Sequence, residues 1–422
     1  MKIGLLGLGT VGTGVVDMLS ANEDVITAKS GKRIEPVAAL IKNAAKPRPP
    51  GAPPVSDCPD KILDDPEIEV VVEVMGGVEP AWTYITRALE NGKHVVTANK
   101  ELMARHGREL MKLASERGLD LLFEAAVCGG IPVIQALKNQ LSGNRVAGLM
   151  GIVNGTTNFI LTKMHAERAD YAAALAEAQD KGFAEANPEA DVENFDAQSK
   201  LAILCALAFS AAVRPEDIYR QGIGHIEPKD VEFAEHFGYR IKSVAIARQA
   251  EDAIEARVHP AMVSIDNPLS KVDGANNAVL LKGNFVGDIM LLGPGAGKDA
   301  TASAVVGDLI EIARKMHSGG HGGVALRFDG CAAVRPIEEA RSRYYVRVNS
   351  MDRPRALGKI ALAFGDNNVS LSALEMRELP ESRSELVFLT HEAVERDLLA
   401  ALADIEQLPM IEGVMNWIRV VQ

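Results

Sequence analysis

Cysteine, clustered basic residues and long apolar runs are all scarce in this 422-residue sequence. The four cysteines lie far apart and form no C-x-x-C pair, so neither a disulfide framework nor a zinc site is indicated. The longest apolar run covers the thirteen residues 201–213, whereas a helix needs roughly 20 apolar residues to span a bilayer. The run therefore predicts a buried core helix, and we expect no membrane partner.

Basic residues are outnumbered, with 45 lysines and arginines against 57 aspartates and glutamates, which gives a formal net charge of −12. Binding to nucleic acid or to an anionic membrane needs clustered positive charge, and the sequence contains no such cluster. The first ten residues form a strand and a glycine turn, without the apolar stretch and cleavage site of a signal peptide. We therefore expect a cytoplasmic protein and no nucleic-acid partner.

Short apolar segments alternate with helical patterns over the first 130 residues. The predicted strands are residues 2–6, 33–41, 70–75, 94–99 and 120–127. The helical patterns between them include residues 11–22, 81–90 and 101–117. Nearly continuous apolar strands that alternate with helices are typical of a parallel sheet covered on both faces. The sequence therefore predicts an α/β fold with a doubly wound sheet of the Rossmann type in this part.

A glycine-rich turn, GLGTVG at residues 7–12, follows the first predicted strand and opens the first predicted helix. The G-x-G-x-x-G pattern alone is weak, because 37 of the 422 residues are glycine. In this context the turn can bring a pyrophosphate against the free N–H groups of a helix N-terminus. We interpret the segment as a dinucleotide-binding turn, with a plain surface turn as the alternative.

Three lysines lie where a nucleotide fold contacts its ligands. The second strand of an NAD enzyme usually ends in an acidic residue that binds the ribose, whereas ALIKNAAK offers Lys42 and Lys46. Basic groups there suit a 2′-phosphate, so the sequence favours NADP, with NAD as the alternative. Lys100 follows a strand at the C-terminal sheet edge, where doubly wound folds bind ligands. A solvated surface lysine is the alternative there.

The pattern changes beyond residue 130 and again near residue 343. Long helices and mixed strands in the middle of the chain indicate a second domain, and a glycine turn near residue 297 opens a helix that we expect to return to the first sheet. We predict a dinucleotide-binding domain at 1–130 that is completed by a helix at about 297–317, an α+β domain at 131–296, a glycine-rich linker at 318–342 and a third domain at 343–422. The third domain has the element order β-α-β-β-α-β, which is ferredoxin-like.

Residues 186–200, ANPEADVENFDAQSK, place four carboxylates and one lysine directly before the apolar run. A helix that begins near Phe195 puts Asp196 and Lys200 four residues apart on one face. An exposed ion pair at this spacing is common and contributes only about 0.3–0.5 kcal/mol. Because apolar residues follow, we instead expect this helix end to face an interior cleft, where charged side chains need a partner or a ligand.

The longer stretch 178–200 is similar to the signature of the homoserine dehydrogenase family. It shares with that signature Gly182, the run N-P-x-x-D-V, and an aspartate and a lysine four residues apart. The resemblance continues through GLGTVG, VVTANKEL, FEAAVCGGIPVI, GIVNGTTNFIL and GPGAGKDATASAVVGDL, so it covers nearly the whole chain. It implies an oxidoreductase that interconverts L-aspartate 4-semialdehyde and L-homoserine with NAD(P), in threonine, methionine and isoleucine biosynthesis.

The resemblance also implies the roles of individual residues. Lys200 is implied to be the catalytic acid and base, with Lys100 beside it at the substrate hydroxyl. The implied substrate-binding residues are Glu185, Asp191, Asp196 and Thr156. The expected cofactor-binding residues are Gly7, Gly9, Thr10, Val11, Gly12, Lys42, Gly77, Thr97, Lys100, Gly182 and Gly297. A structural monovalent cation, expected to be sodium (Na⁺), is implied on the backbone oxygens of Glu124, Val127, Gly129 and Ile131.

Four positions depart from the pattern of the family. Aspartate is usual at Asn187, and glycine is usual at Asn194, Cys128 and Arg355. We expect Asn194 to adopt a positive φ, which asparagine tolerates better than most residues. Cys128 could be a nucleophile, as in acyl-forming aldehyde dehydrogenases. The sequence shows no histidine partner for it, so we interpret Cys128 as a packed small residue.

The third domain resembles an ACT domain, and the second resembles a substrate-binding and dimerisation domain. The ACT resemblance implies that the chain forms a homodimer or homotetramer and binds threonine as a feedback effector. The alternative is a module that serves only dimerisation or packing. Two other functions remain open: another NAD(P)-dependent hydroxy-acid or amino-acid oxidoreductase, and a non-catalytic amino-acid sensor. The signature at 178–200 disfavours the first, and the presence of both Lys100 and Lys200 disfavours the second.

Overall fold

The structure is a computed structural model that describes residues 1–43, 51–251, 253–319 and 332–422. Lys46 lies outside the described residues. The same holds for residues 320–331 of the glycine-rich linker predicted at 318–342. The predictions for these segments therefore stay predictions.

The first sheet is parallel and has six strands in the order β3-β2-β1-β4-β5-β6. Its strands are β1 (Lys2–Leu6), β2 (Glu35–Leu40), β3 (Val55–Ser56), β4 (Val70–Glu73), β5 (His94–Thr97) and β6 (Leu121–Leu122). The helices between them are α1 (Thr10–Ala21), α2 (Glu23–Ser30), α3 (Asp60–Leu63), α4 (Ala81–Glu90) and α5 (Lys100–Glu116). This strand order is that of a Rossmann fold, so the predicted doubly wound architecture is confirmed.

The middle of the chain mixes helices with antiparallel strands. The helices are α6 (Val133–Gln135), α7 (Gly155–Glu167), α8 (Tyr171–Asp180), α9 (Glu189–Val192), α10 (Phe195–Phe209), α11 (Pro228–His236) and α12 (Lys298–His317). The strands are β7 (Val146–Ile152), β8 (Tyr219–Arg220), β9 (Tyr239–Gln249), β10 (Ala253–Ser264), β11 (Asn276–Gly283) and β12 (Gly287–Pro294). Strand β11 pairs antiparallel with β7 and β12, and β9 pairs antiparallel with β10.

The C-terminal part has the predicted order β-α-β-β-α-β, with short additional strands. Its strands are β13 (Ala333–Val334), β14 (Arg341–Met351), β15 (Leu371–Leu379), β16 (Arg383–Thr390), β17 (Ala393–Val394) and β18 (Ile411–Val421). Its helices are α13 (Ala356–Asp366) and α14 (Glu395–Glu406). The long strands pair antiparallel in the order β18-β14-β16-β15, and β18 also pairs in parallel with β10. The second sheet is therefore mixed.

The chain forms two compact units, and each unit collects separate segments of the sequence. The first unit comprises Met1–Gly155, Asp196–Ile218 and Asn276–Ala332. The second unit comprises Thr156–Phe195, Tyr219–Ala275 and Ala333–Gln422. The chain thus passes from one unit to the other five times. The domain boundaries drawn from the sequence stay a prediction.

The core of the first unit forms between the parallel sheet and two of its helices. Ile3 and Val72 from the strands pack in one fully buried cluster with Val15 of α1 and Leu309 of α12. Helices α1 and α12 approach closely at Gly14, where a Cβ atom would lie 2.9 Å from the backbone oxygen of Lys298. The helix that follows the second glycine turn therefore packs on the first sheet.

The apolar run at 201–213 lies largely in α10, as predicted. Leu201 and Leu204 are fully buried, and the helix ends at Phe209. Within the described residues, no helix has both the length and the apolar character that crossing a membrane requires. The run is thus part of a protein core.

The predicted strand at 120–127 is wrong in its extent. Only Leu121–Leu122 is a strand, and a 3₁₀ turn at Glu124–Ala126 follows. The chain turns because polar groups distant in sequence bind it: the Glu124 N–H donates to Asp308 Oδ2 at 2.9 Å. The Glu124 carboxylate accepts from the backbone N–H groups of Ile134 and Gln135 at 2.9 and 2.7 Å. An apolar pattern cannot show these contacts.

We expect Asp120→Asn to destabilise the first sheet in a pH-dependent way. The buried Asp120 binds Lys315 of α12 at 2.8 Å and lies 3.4 Å from His94 Nδ1. Burial alone raises the pKa of Asp120, but its bonds to His94 and Lys315 outweigh burial and lower that pKa from 3.8 to about 2. A carboxylate whose pKa is lower in the folded than in the unfolded state stabilises the fold above the unfolded-state pKa. This contribution is lost as the pH falls through the folded-state pKa. The difference in unfolding free energy between wild type and variant should therefore close between pH 4 and 2, as urea denaturation would show. A difference that does not change with pH would contradict this.

Candidate functional site

The first glycine turn has the open geometry that a pyrophosphate needs. Gly7 has φ of 109°, in the region that favours glycine, and a Cβ on Gly12 would collide with the carbonyl oxygen of Gly7. A Cβ on Gly9 would meet nothing within 4 Å, so the space beside the turn is open. Helix α1 begins at Thr10 without a side-chain cap. Its first N–H groups can therefore bind an anion.

Other residues expected to contact the cofactor occupy different parts of the chain. Lys42 is exposed two residues beyond the end of β2. Gly297 caps the start of α12 with φ of 106°, and Gly77 has φ of 74° in the loop after β4. All three lie in the first unit, whereas Gly182, with φ of 75°, lies in the second. The structure leaves their proposed roles untested.

Two lysines and one aspartate form a compact cluster in the first unit. Lys100, the first residue of α5, places Nζ 2.6 Å from Oδ1 of Asp196. Lys200 places Nζ 2.7 Å from Oδ2 of the same carboxylate. Asp196 and Lys200 lie one helical turn apart at the start of α10, which explains their contact. Asp196 thus bridges two ammonium groups, and we call these three residues the lysine–aspartate cluster.

Two of the three residues in the lysine–aspartate cluster, Asp196 and Lys200, are buried. Asp196 is 6% exposed and Lys200 is 8% exposed, whereas the side chain of Lys100 is 40% exposed. Burial alone would raise the pKa of Asp196, but the charges and hydrogen bonds of Lys200 and Lys100 hold that pKa well below its ordinary value. The alternative of an ordinary exposed ion pair is therefore wrong.

Two groups that the sequence analysis did not single out complete the surroundings of this cluster. Asn154 Nδ2 donates to Asp196 Oδ2 at 2.9 Å, and Lys200 Nζ donates to the Val153 carbonyl oxygen at 2.8 Å. Both residues directly follow β7 in the segment GIVNGTTN. A polar residue between a strand end and a helix start was the available signal, but its partner lies 42 residues away.

The remaining expected substrate-binding residues lie in the second unit. Thr156 is buried, and its Oγ1 lies 2.6 Å from the Phe183 carbonyl oxygen and 3.2 Å from Asp191 Oδ2. Glu185 is exposed in the segment that precedes α9. Within this unit, Thr156 and Asp191 are therefore neighbours, and Glu185 presents its carboxylate to the surface.

Asn194 adopts the positive φ that the sequence predicts, with a value of 62°. Its fully buried side chain uses both polar atoms: Nδ2 donates to the Gln221 carbonyl oxygen at 2.7 Å, and Oδ1 accepts from the Ser243 hydroxyl at 2.9 Å. The departure from glycine is therefore compensated by two hydrogen bonds within the second unit.

We expect Asn194→Gly to lower the unfolding free energy by about 1–3 kcal/mol, although glycine is the usual residue in the family. Glycine relieves the cost of a positive φ, but it leaves the Gln221 carbonyl and the Ser243 hydroxyl without partners in a buried site. Urea denaturation of both proteins measures the difference. Arg355→Gly, at an exposed residue with φ of 75°, is the matched control and should not destabilise. Equal or higher stability of Asn194→Gly would contradict the expectation.

The segment 124–131, where a monovalent cation is expected, lies beside a cavity. Glu124, Gly129 and Ile131 line a cavity of about 530 Å³ together with Asp308. Burial raises the pKa of Glu124 to about 7 and that of Asp308 to about 8. Among the described residues, no group of three or more His, Cys, Asp or Glu side chains could hold a metal ion. The cation site expected on the backbone oxygens of this segment stays a prediction.

Cys128 is a buried residue with φ of 55°, where the related family has glycine. Its Sγ accepts a weak hydrogen bond from Asn277 Nδ2 at 3.5 Å. Burial raises the pKa of the thiol, although the charge of Lys200 lowers it in part. A buried thiol with a raised pKa is a poor nucleophile, which supports the interpretation of a packed small residue.

The loop before α13 encloses a small cavity in the C-terminal sheet region. The cavity has a volume of about 110 Å³, and Ser350, Asp352 and Ser384 are among the polar residues that line it. Arg355 caps α13 in the left-handed conformation, with φ of 75°. The loop therefore keeps a backbone geometry that glycine usually provides.

Comparison with known proteins gives consistent matches along the chain. A family model described as "Homoserine dehydrogenase, NAD binding domain" matches residues 7–124, and one described as "Homoserine dehydrogenase" matches residues 132–310. A homoserine dehydrogenase of Synechocystis sp. is 40% identical over 431 aligned positions, which cover 100% of this chain and 99% of the relative.

Solved structures give the same result. The crystal structure of a homoserine dehydrogenase from Thiobacillus denitrificans superposes with a TM-score of 0.95 at 42% identity, and covers 100% of this chain and 98% of its own. A hyperthermophilic archaeal homoserine dehydrogenase, solved in complex with NADPH, has a TM-score of 0.64 at 27% identity. That match covers 74% of this chain and 98% of the archaeal one.

Proposed function

This chain belongs to the homoserine dehydrogenase family and is an oxidoreductase, and we propose that Lys200 serves as its acid and base. The proposed reaction is the reversible, NAD(P)-dependent interconversion of L-homoserine and L-aspartate 4-semialdehyde. The observation that carries the assignment of Lys200 is its burial against Asp196 beside a second lysine, in the unit that contains the nucleotide-binding turn.

Oxidation of an alcohol requires that the hydroxyl proton leaves the oxygen as hydride leaves the adjacent carbon. Lys200 Nζ is fixed by two acceptors, Asp196 Oδ2 at 2.7 Å and the Val153 carbonyl oxygen at 2.8 Å. An ammonium group has three N–H bonds, so the third can point to the substrate oxygen. In the reductive direction, Lys200 donates this proton to the aldehyde oxygen. In the oxidative direction, the neutral amine accepts it.

Lys100 has an electrostatic role in this proposal. Its ammonium group lies 2.6 Å from Asp196 Oδ1, on the carboxylate oxygen that Lys200 does not bind. Asp196 therefore fixes the spacing of the two positive charges. A partly exposed Lys100 can then stabilise negative charge that develops on the substrate oxygen.

Carboxylates of the second unit are proposed to hold the amino-acid end of the substrate. Asp191 and Thr156 are neighbours there, and Glu185 is exposed. The ammonium group of homoserine needs negatively charged acceptors, which Asp191 and Glu185 provide. Asn187, where the family usually has aspartate, removes one negative charge from this segment.

When it is bound, the nicotinamide dinucleotide would accept or donate the hydride. The open turn at Gly9 and the start of α1 would hold its pyrophosphate. Lys42 supports a preference for NADP, because an exposed lysine beyond β2 suits a 2′-phosphate. The NADPH in the archaeal structure supports the same preference.

We expect a structural monovalent cation, sodium, at the oxygens of Glu124, Val127, Gly129 and Ile131. Binding that favours the folded state stabilises it by about 2.7 kcal/mol when the cation is 100-fold above its Kd. Replacing sodium chloride with choline chloride at equal ionic strength should therefore lower the thermal unfolding temperature. Identical unfolding curves in the two salts would remove the cation from the proposal.

The third domain is proposed to be an ACT domain that pairs in a homodimer or homotetramer and binds threonine. The β-α-β-β-α-β order and the small polar cavity near Arg355 support this proposal. Titration of threonine into the assay tests it, and a flat response up to millimolar threonine would favour a packing module. We also keep the cytoplasmic location and the substrate-binding and dimerisation role of 131–296 as proposals.

The decisive experiment is a spectrophotometric assay of the purified protein. NADPH oxidation should follow the addition of L-aspartate 4-semialdehyde, and NADP⁺ reduction should follow the addition of L-homoserine. Turnover of another hydroxy acid with no turnover of homoserine would favour a different oxidoreductase. Absence of turnover with every substrate, but binding of threonine, would favour an amino-acid sensor.

A further inference from the structure

Glu73 is a buried carboxyl at the C-terminal end of the parallel strands, on the side of the sheet where α5 begins at Lys100. It is the last residue of β4 and has no exposed surface. In register, it lies beside Leu6 of β1 and Thr97 of β5. Parallel strands end together at one edge, so Glu73 lies next to the turn that starts at Gly7.

The two oxygens of the Glu73 carboxylate bind two different segments. Oε1 accepts from the backbone N–H groups of Met75 and Gly76, at 2.7 and 3.3 Å. Oε2 accepts from the Thr97 hydroxyl at 2.6 Å. The carboxylate therefore joins the loop after β4 to the end of β5.

Thr97 links the Glu73 carboxylate to the start of α5. Its Oγ1 also accepts from the Asn99 backbone N–H at 3.0 Å. Asn99 caps α5 through Oδ1, which accepts from the Leu102 N–H at 3.1 Å, and its Nδ2 donates to the Gly77 carbonyl oxygen at 2.6 Å. The loop at 75–77 and the first turn of α5 are thus tied together twice, once through Glu73 and once through Asn99.

The residue that follows this capped end is Lys100, whose Nζ lies 2.6 Å from Asp196. A helix end held by its cap and by a buried carboxyl has little freedom to shift. The partners of Glu73 are neutral donors, and burial accordingly raises its pKa. An amide whose oxygen accepts from the loop must turn its NH₂ group toward Thr97, so the Thr97 hydroxyl hydrogen loses its acceptor.

We infer that Glu73 is a positioning residue: it holds the loop 75–77 and the start of α5 in one arrangement, and so sets Lys100 against Asp196. This inference rests on the proposed function, in which Lys100 stabilises charge on the substrate oxygen. Glu73 acts through Thr97 and Asn99 and does not touch the substrate.

Glu73→Gln tests the inference by separating kcat from KM. A displacement of about 1 Å in a catalytic group can cost about 100-fold in rate, so kcat should fall by about 10- to 100-fold. The KM for homoserine should change little, because the variant leaves the binding carboxylates intact. In the reductive direction, with NADPH deuterated at the transferred position, the isotope effect on kcat should rise, since the chemical step becomes slower than product release.

Thr97 provides a second pair of variants in case Glu73→Gln folds poorly. Thr97→Val removes the bridging hydroxyl and should lower kcat as Glu73→Gln does, and Thr97→Ser, which restores the hydroxyl, should have a higher kcat than Thr97→Val. The double variant Glu73→Gln with Thr97→Val should be no slower than either single variant, because both break one connection. The KM for the nucleotide separates this effect from loss of a direct contact between Thr97 and the cofactor.

Asp120→Asn is the matched control, because Asp120 is also a buried carboxylate of this sheet, next to β6. Asp120 binds Lys315 and His94, and His94 is the first residue of β5. It should lower stability and leave kcat unchanged. With an active wild type, unchanged kcat in both Glu73→Gln and Thr97→Val would overturn the inference alone. A kcat loss in Asp120→Asn equal to that in Glu73→Gln, or additive losses in the double variant, would also overturn it. A wild type without homoserine turnover would overturn the proposed function and this inference together.

Discussion

Lys200→Ala is expected to lower kcat by about 10²–10⁴-fold, which is the usual contribution of a general acid–base group. The KM for homoserine should change much less, because the variant removes the proposed proton transfer and leaves the carboxylates that are proposed to bind the substrate ammonium. Small primary amines added to the assay should restore part of the rate, since they can occupy the vacated space and exchange the same proton. Initial rates with NADP⁺ and homoserine measure all three effects.

The control for this variant is Lys112→Ala. Lys112 lies on the same helix as Lys100, but its side chain is 75% exposed and pairs only with Glu116 in the described structure. Its replacement should leave kcat and stability nearly unchanged. Near-normal turnover in Lys200→Ala, or a loss that appears entirely in KM, would show that another group moves the proton.

Asp196→Asn is expected to have the largest effect on stability. The buried carboxylate binds two ammonium groups and Asn154. Without its charge, the two ammonium groups lose the carboxylate that bridges them. Breaking a buried charge pair costs about 3–5 kcal/mol of unfolding free energy. Turnover should fall with it, because neither lysine keeps its position.

The pH dependence of this loss follows from the depressed pKa of Asp196. A carboxylate whose folded-state pKa is lowered stabilises the fold above the unfolded-state pKa, near 3.8, and loses this contribution as the pH falls further. The stability difference between wild type and Asp196→Asn should therefore be full at pH 7 and shrink below pH 3.8. Asp17→Asn, which breaks the exposed pair with Lys298, is the control and should change stability little. A similar small cost for Asp196→Asn would contradict the expectation.

The sequence predicts best what depends on neighbouring residues. The strand, turn and helix at residues 2–21 follow from apolar periodicity and glycine spacing, and the structure confirms them. Asp196 and Lys200 meet because a helix brings residues four apart together, so their contact was also predictable. Their burial followed from the apolar residues next to them.

Contacts between distant segments could not be predicted from the pattern of residues. Asn154 and Asp196 are 42 residues apart, and Glu124 and Asp308 are 184 apart. The second pair ends strand β6 early, although the sequence there is apolar and β-like. The resemblance to a family indicated Lys100 beside Lys200, but it did not indicate that one carboxylate bridges them.

The resemblance also shows where backbone geometry matters. The three positions at which glycine is usual, Cys128, Asn194 and Arg355, all have positive φ in this chain. Each residue keeps the turn by a different means. Asn194 uses two side-chain hydrogen bonds, Cys128 is enclosed in the core, and Arg355 extends into solvent.

The repeated passage of the chain between two units limits how this protein can be divided. Strand β18, almost at the last residue, pairs with β10 at Ala261–Val263 in the same unit. A fragment that stops before residue 343 would leave Ala261–Val263 of β10 without its β18 partner, as a bare edge that can pair with another molecule. Shortened versions of the chain are therefore expected to precipitate on expression, and loss of their activity would report aggregation rather than the removal of a separable regulatory module.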